Sequence, residues 1–430
     1  MLHMTPERVY ATEDIRDIPE ALRRTEAMIA ALDAGSVEWL SMSELDEIAA
    51  GDRWAWRGRW GEVGEKRDPD IVFTTAKFPS KPEEQDLRER YPHLAAHDLY
   101  GFHTFWRRPD GDPEWRREKK GIVCQSAWQL HSIGGCPFRC AYCGANRVMR
   151  VLVNMEEYAE HLDDLFARAP RQRLYKWDNQ SDIPCFEPEY DASRVLVERF
   201  AREEDRYLEI YVGKSAGTDY LLDYDHRGRT ILQWSVAGPS QVEHFEDGTD
   251  GMVERFEAAR RLQDAGYIVR LRLSPIIPVK GWREENRLLF EEMFARTDPD
   301  VVSLCPLGWM DLEETEKCLD FDLLDPDYVA AMRAAAPFLR ERGYRNGSGR
   351  PIPHDARYSM LSFLIDQIQD ISPDTLIALC LETEAMWRAL GPRIGQTADR
   401  YVCNCGPTCT PGDPLYEERV GNAAGAIEEG

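Results

Sequence analysis

The chain of 430 residues lacks any run of about 18 apolar residues, the length a membrane-spanning helix needs, and its opening MLHMTPERVYATEDIRD has no apolar leader segment. It is also short of positive charge. Its 53 lysines and arginines stand against 77 aspartates and glutamates, a formal net charge of −24. Such a surface repels polyanions at long range, which excludes wrapping of duplex DNA unless a local basic patch overrides it. The basic runs Arg107-Arg108 and Arg116-Arg117-Glu118-Lys119-Lys120 read as solvated faces. No internal repeat is present. A disulfide framework is missing too, because six of the eleven cysteines fall in two tight clusters, a pattern of metal binding in a reducing compartment. A cytoplasmic chain with no membrane partner is expected. What the sequence does have is 43% hydrophobic residues, enough for a sizeable core.

The first cluster is the loop Cys136-Pro137-Phe138-Arg139-Cys140-Ala141-Tyr142-Cys143, opened by Gly134-Gly135. Three thiolates at this spacing ligate three irons of a [4Fe-4S] cluster and leave the fourth iron open. The competing reading is zinc, but zinc sites pair CxxC units or add histidine, and nothing nearby in sequence completes one.

Around that loop the chain divides by pattern. Residues 1–120 form an N-terminal accessory region, with helices over 19–34 and 43–49, an aromatic run Trp54 to Trp60 read as core, and loops over 79–92 and 109–113. Over 121–320 strands alternate with helices. Strands are predicted over 121–130, 173–178, 208–212, 230–236, 268–273 and 301–304, and helices over 155–169, 192–204, 219–225, 251–266 and 283–296. This is an α/β pattern, and six βα units with right-handed crossovers predict a partial (β/α)6, TIM-like barrel with its active site at the C-terminal strand ends. Residues 321–400 read as helical, 401–412 hold the second cysteine cluster, and the polar 413–430 is expected to be a disordered tail.

With Tyr142 before its last cysteine, the loop resembles the CxxxCxΦC signature of the radical S-adenosylmethionine (radical SAM) superfamily. That resemblance implies that the open iron chelates SAM, that an electron from a donor such as flavodoxin or ferredoxin cleaves it to a 5′-deoxyadenosyl radical, and that hydrogen abstraction follows. Further segments are similar to spore photoproduct lyase and its relatives: Ser181-Asp182-Ile183, Lys214, Leu221 to Asp223 with His226 to Thr230, Trp234-Ser235, His244 to Thr249, Pro275 to Pro278 with Gly281-Trp282, and Leu379 to Thr383. They cover 125–390. The resemblance implies that Ser181, Asp182, Lys214 and Ser235 surround SAM. Asp182 would pair the ammonium, Lys214 the carboxylate and Ser235 a ribose hydroxyl, as charge-assisted bonds in a dry site allow. The other reading of each is a structural pairing at a strand end. The sequence departs from the family at two positions: Asn179 stands where the lyases carry their hydrogen-donating cysteine, and Gly144 where they carry a tyrosine. Both changes argue against repair of a thymine dimer. Cys185 is the nearest substitute thiol.

The second cluster, Cys403, Cys405 and Cys409 around Gly406-Pro407, suits a second [4Fe-4S] cluster, or zinc with a fourth ligand such as a histidine, Cys380 or Cys318. As a cluster it would bind substrate, pass an electron or give up sulfide. By analogy with sulfur-inserting radical SAM enzymes such as biotin and lipoate synthases, the leading expectation is exchange of a ring oxygen for sulfur in a nucleoside or nucleotide, as in thionucleoside (albomycin-type) antibiotic biosynthesis. The alternatives are radical cyclisation, epimerisation or carbon–carbon bond formation or rearrangement on a nucleoside with the second cluster binding substrate, and a non-enzymatic iron–sulfur or electron-transfer protein. Arg270, Arg272 and Lys280 are candidates to hold a phosphate, whereas His354, Arg357 and Tyr358 read as structural.

Overall fold

The computed structural model describes residues 1–54, 58–63, 68–97, 99, 105–107, 121–125, 128–144, 148–341 and 350–425. Two compact units share the chain, one of Met1–Arg107, Trp128–Arg139 and Cys143–Thr230, the other of Arg108–Ala127, Cys140–Tyr142 and Ile231–Gly430. Each is built on parallel strands.

In the first unit β1 (Arg8–Thr12), β2 (Ser36–Leu40), β3 (Asp70–Thr74), β6 (Ile133–Gly134) and β7 (Val148–Leu152) form a sheet in the order β2-β1-β3-β7-β6. All its pairs are parallel except β6 with β7. A second set holds β4 (Phe105–Arg107), β5 (Trp128–Leu130), β8 (Leu174–Trp177) and β9 (Tyr207–Gly213). There β5, β8 and β9 run parallel, and β4 runs antiparallel to β5. The second unit holds β10 (Thr230–Val236), β11 (Ile268–Ile276), β12 (Val301–Pro306) and β13 (Ile377–Leu379), all parallel. Every residue of β10 and β12 is buried, the polar Gln233, Ser235 and Ser303 included, as expected of parallel strands covered on both faces.

Helices cross over between the strands. The helix Met252–Asp264 stops at Gly266, whose φ of +91° is the left-handed conformation that ends a helix, and the chain turns directly into β11. The N-terminal stretch differs from the sequence expectation. Its strands β1 to β3 were hidden by short, mixed segments, and through β3 they join β7 from beyond the expected boundary at 120. The expected loop over 79–92 is a helix at Lys81–Arg90, opened by a Ser80 and Glu83 capping box and braced by Arg88 on Glu84 and Arg90 on Asp86. Trp54 and Trp60 are core residues, 2% and 6% exposed, while Ala55, Trp56 and Arg57 lie outside the described residues, as do 108–120.

The tail is a correction too. Pro414–Gly425 is a helix, not a disordered segment, because Tyr416 is buried and its hydroxyl donates to Asp300 Oδ2 at 2.8 Å, and the Asp413 carboxylate accepts from Leu415 N at the helix start.

The structural reading of Arg357 holds. It is buried at the start of the helix His354–Ile371, with Nε on Glu382 Oε1 at 2.7 Å. Glu382, 2% exposed, also receives Arg350 Nη1 at 3.2 Å, and its backbone carbonyl accepts Val123 N at 2.7 Å. Glu382→Ala leaves Arg357 buried and unpaired, and is expected to lower the unfolding free energy by about 3–5 kcal/mol, read by equilibrium denaturation. Replacing both Arg357 and Glu382 with leucine is expected to cost much less.

Candidate active site and second cysteine centre

The loop bearing Cys136 leaves β6 through Gly135, whose φ is +96° and whose missing Cβ would press on Val148 O and Met149. Glycine is therefore required one residue before the first thiol. Asp178, immediately after β8 and fully buried, accepts from Ser132 N at 2.8 Å and Ile133 N at 3.1 Å through Oδ2, and its Oδ1 lies 2.7 Å from His131 Nδ1. The sequence reading missed this residue. Its signal was a carboxylate at the end of a strand, next to the Ser181-Asp182 pair. At the far end of the loop Trp60 N donates to Cys143 O at 3.1 Å.

In the second unit Ala141 N donates to Phe245 O, and Tyr142 Oη donates to Glu246 Oε1 at 2.8 Å. Glu246 is itself held by Gln241 and by the buried Arg255. The aromatic before the last cysteine is thus an anchor for the loop, and its ring meets Trp309 edge-to-face at 6.3 Å between centroids.

Of the residues expected around SAM, Asp182 and Lys214 are brought together. Asp182 Oδ2 accepts Lys214 N at 2.5 Å, across Gly213, whose φ is +74° and where any Cβ would run into the carboxylate. Cys185 Sγ lies 3.6 Å from Asp182 Oδ1. Ser181 is 8% exposed and its hydroxyl has no hydrogen-bond partner among the described residues. A buried orphan hydroxyl beside a carboxylate, and a backbone kept bare by glycine, fit a polar ligand at this end of β8 and β9. Ser235 lies on β10, 3% exposed, its carbonyl accepting from Arg255 Nη1. Asn179 and Gly144 contribute no side chain to these networks.

A third thiol group was not foreseen. Cys305 at the end of β12 and Cys380 just after β13 meet Arg272 of β11, whose Nη2 is 3.6 Å from one sulfur and 3.1 Å from the other. The hydrogen bond from Cys380 and the Arg272 charge outweigh burial and bring the Cys305 thiol down to about 6. Arg272 is therefore committed to sulfur, and Lys280 donates to Asp322 O. Arg270 is fully buried, with Nε and Nη2 on Asp300 and the other donors on Asn404 O (2.8 Å) and Cys409 O (2.7 Å). None of the three is placed as a phosphate ligand. Arg270 instead fixes the C-terminal cysteine loop, and Ser303 of β12 adds a bond to Asn404 Oδ1. A cleft of about 610 Å³ in the first unit, lined by Asp14, Thr75, Lys77 and Phe78, holds no thiol, and its Lys77 is paired with Asp14.

Two expectations follow. Asp178→Ala leaves buried Ser132 and Ile133 amides unmatched, and is expected to lower iron bound at Cys136, Cys140 and Cys143 in anaerobically reconstituted protein, with Asp178→Asn restoring part of it. Because the Cys305 thiol is depressed on folding, its contribution to stability is complete above its ordinary value near 9 and disappears as pH falls to about 6. Unfolding free energy measured across that window is expected to rise with pH in the parent protein and to rise less in Cys305→Ser.

Residues 126–303 match the family model described as spore photoproduct lyase. Spore photoproduct lyase of Bacillus subtilis is 31% identical over 174 residues, which cover 39% of this chain and 51% of the relative; that of Clostridium acetobutylicum is 25% identical over 195 residues, 41% and 55%. The chain spans about half the length of these curated relatives. A solved spore photoproduct lyase, a cysteine-to-serine mutant, superposes with a TM-score of 0.58 at 17% identity, covering 87% of this chain and 98% of its own. A second, a double mutant solved with AdoMet and dinucleoside spore photoproduct, gives 0.57 at 18% identity and the same coverage. The fold is accordingly the α/β, curled parallel half-barrel of those structures. By sequence over 126–303 and by fold along most of its length, this chain is similar to the spore photoproduct lyases of the radical SAM superfamily.

Proposed function

We propose that the chain is a radical SAM enzyme acting on a nucleoside- or nucleotide-type small molecule, with a second metal centre at Cys403, Cys405 and Cys409. The observation that carries the reading is the strand-end cradle of Ser181, Asp182, Gly213 and Lys214, whose orphan hydroxyl and bare backbone await a polar ligand. It follows the CxxxCxxC loop in the chain order of the lyase segment. When bound, the [4Fe-4S] cluster and SAM supply a 5′-deoxyadenosyl radical for hydrogen abstraction, with an electron from a flavodoxin or ferredoxin. The residues of the chain bind and orient: Cys136, Cys140 and Cys143 hold iron, Tyr142 fixes the loop through Glu246, Asp182 and Lys214 hold the amino-acid end of SAM, and Ser181 and Ser235 hold hydroxyls. The relative solved with a dinucleoside supports a nucleotide-type substrate, whereas Asn179, Gly144 and the charge of −24 support a small molecule over duplex DNA.

The finer proposal is sulfur insertion, a ring oxygen exchanged for sulfur in thionucleoside antibiotic biosynthesis, with the C-terminal centre as sulfur source. One observation favours a different reading, a radical rearrangement in which that centre relays an electron instead of giving up sulfide or binding substrate. Within the second unit, Tyr142 sits by Glu246 and Trp309, beyond the finishing ends of β10 and β12, while the C-terminal loop is held by Arg270 and Ser303, near the starts of β11 and β12. Sulfur in the product, traced from labelled sulfide, separates the two.

Reduced, reconstituted protein is expected to bind SAM and release 5′-deoxyadenosine, and to release none with Cys136, Cys140 and Cys143 changed to alanine. Asp182→Ala is expected to weaken SAM binding roughly 10–100-fold, the loss of one charge-assisted hydrogen bond. SAM binding unchanged in Asp182→Ala, or no SAM cleavage by the parent, would refute the assignment.

A further inference from the structure

The C-terminal loop supplies three thiols, and the fourth position of a metal centre there has no ligand from its own segment. Cys380 and Cys318, the candidates from sequence, are placed elsewhere. Cys380 is occupied with Arg272 and Cys305, and Cys318 is buried at the end of the helix Leu312–Cys318.

A different cysteine reaches the loop. The segment before β5 is tied into the second unit by Val123 N on Glu382 O and by Gln125 Nε2 on Tyr401 O at 2.7 Å. Gln125 is a bracket between sulfurs: its Oε1 lies 3.7 Å from Cys409 Sγ and its backbone carbonyl 3.5 Å from Cys124 Sγ. Cys409 Sγ also accepts from Cys403 N at 3.3 Å. Gly406 is bare because any Cβ there would strike Cys409 Sγ and Gln125 Oε1. The Tyr401 hydroxyl is buried with no hydrogen-bond partner among the described residues. Cys124 thus sits between two pinned neighbours, Val123 and Gln125, and the Gln125 side chain joins the segment to Tyr401, across 276 positions of chain, and to the Cys409 sulfur.

We propose that Cys124 is the fourth thiolate of the C-terminal centre, which is therefore a four-cysteine site, Cys124, Cys403, Cys405 and Cys409, for a soft metal: a [4Fe-4S] cluster or a zinc ion. The inference rests on the reading that this loop binds metal, and extends it by a ligand. Four thiolates suit both groups. Among the described residues no three such side chains stand as a finished cage, so the thiols turn about χ1 as metal enters while the backbone stays as Arg270, Ser303 and Gln125 hold it. A fully thiolate-ligated cluster has no iron free for substrate, which narrows the centre to electron relay, to structure, or to sulfide release by breakdown of the cluster.

The test uses full-length protein with Cys136, Cys140 and Cys143 changed to alanine, so that only the C-terminal site is read, reconstituted without oxygen with iron and sulfide or, separately, with zinc alone. That protein is expected to hold about four irons with uniform Mössbauer parameters, or about one zinc. Adding Cys124→Ala is expected to take it to about three irons or fewer, or to lower zinc affinity at least tenfold, while adding Cys380→Ala, the control for a nearby thiol, changes neither. Full occupancy with unchanged spectra after Cys124→Ala would overturn the fourth ligand and leave the metal reading intact. No metal in the starting variant, with folding verified by circular dichroism, would overturn both.

Discussion

The second unit depends on one buried cation. Arg270 lies at zero exposure on β11, and burying a guanidinium is tolerable only when its charge is paired and its N–H groups are all met. Asp300 supplies the charge, and two carbonyls of the cysteine loop supply the remaining acceptors. The same Asp300 receives the Tyr416 hydroxyl, and the guanidinium lies 5.9 Å over the Tyr416 ring. Strand, cysteine loop and final helix are thus a single network, and the loop cannot leave without depriving buried guanidinium N–H groups of their acceptors. This explains why a polar, glycine-rich C-terminal stretch is ordered at all.

The first unit uses carboxylates the same way. Asp178 and Asp182, four residues apart beyond the end of β8, each accept backbone N–H groups from a different segment, Asp178 from the approach to the cysteine loop and Asp182 from the residue after β9. Carboxylates that bind amides preorganise loops without drawing on side chains from those loops. Asp182 Oδ1 faces the weak donor Cys185, and a carboxylate oxygen has lone pairs enough to accept from a ligand ammonium as well.

Much of this was readable in the sequence where one physical signal dominated. The β10 and β12 runs are short, rich in large apolar residues and buried on both faces, so their bounds are predicted almost to the residue, and the three-thiol spacings announce themselves without any fold. Among the N-terminal strands, β2 was missed because it is mostly exposed, with only its last two residues half-buried, and so carries no burial signal, whereas the buried β1 and β3 are only five residues each. The helix Lys81–Arg90 was read as a loop because its flanking prolines and many charges outweighed a legible capping box at Ser80 and Glu83. Cys305 with Cys380, and Gln125 with Cys409, were out of reach for a different reason. Their pairing is a product of parallel strand order and of where the chain returns, and no local periodicity encodes it.

The charge balance limits what the C-terminal loop can hold. A centre ligated by four thiolates carries net negative charge, yet the cation that holds the loop, Arg270, is already matched by Asp300 and offers the loop only its N–H groups. Compensation must come from dipoles, and Cys403 N on Cys409 Sγ is one such bond already in place. N–H to sulfur bonds favour the thiolate over the thiol and stabilise whatever charge remains on a bound metal. The geometry thus gives the two arginines of β11 different roles. Arg270 shapes a loop through carbonyls, whereas Arg272 puts its charge directly on the Cys305 and Cys380 sulfurs. Two residues on one face of one strand therefore create two different sulfur environments, one neutral in its arginine and suited to metal, the other cationic and suited to a free thiolate.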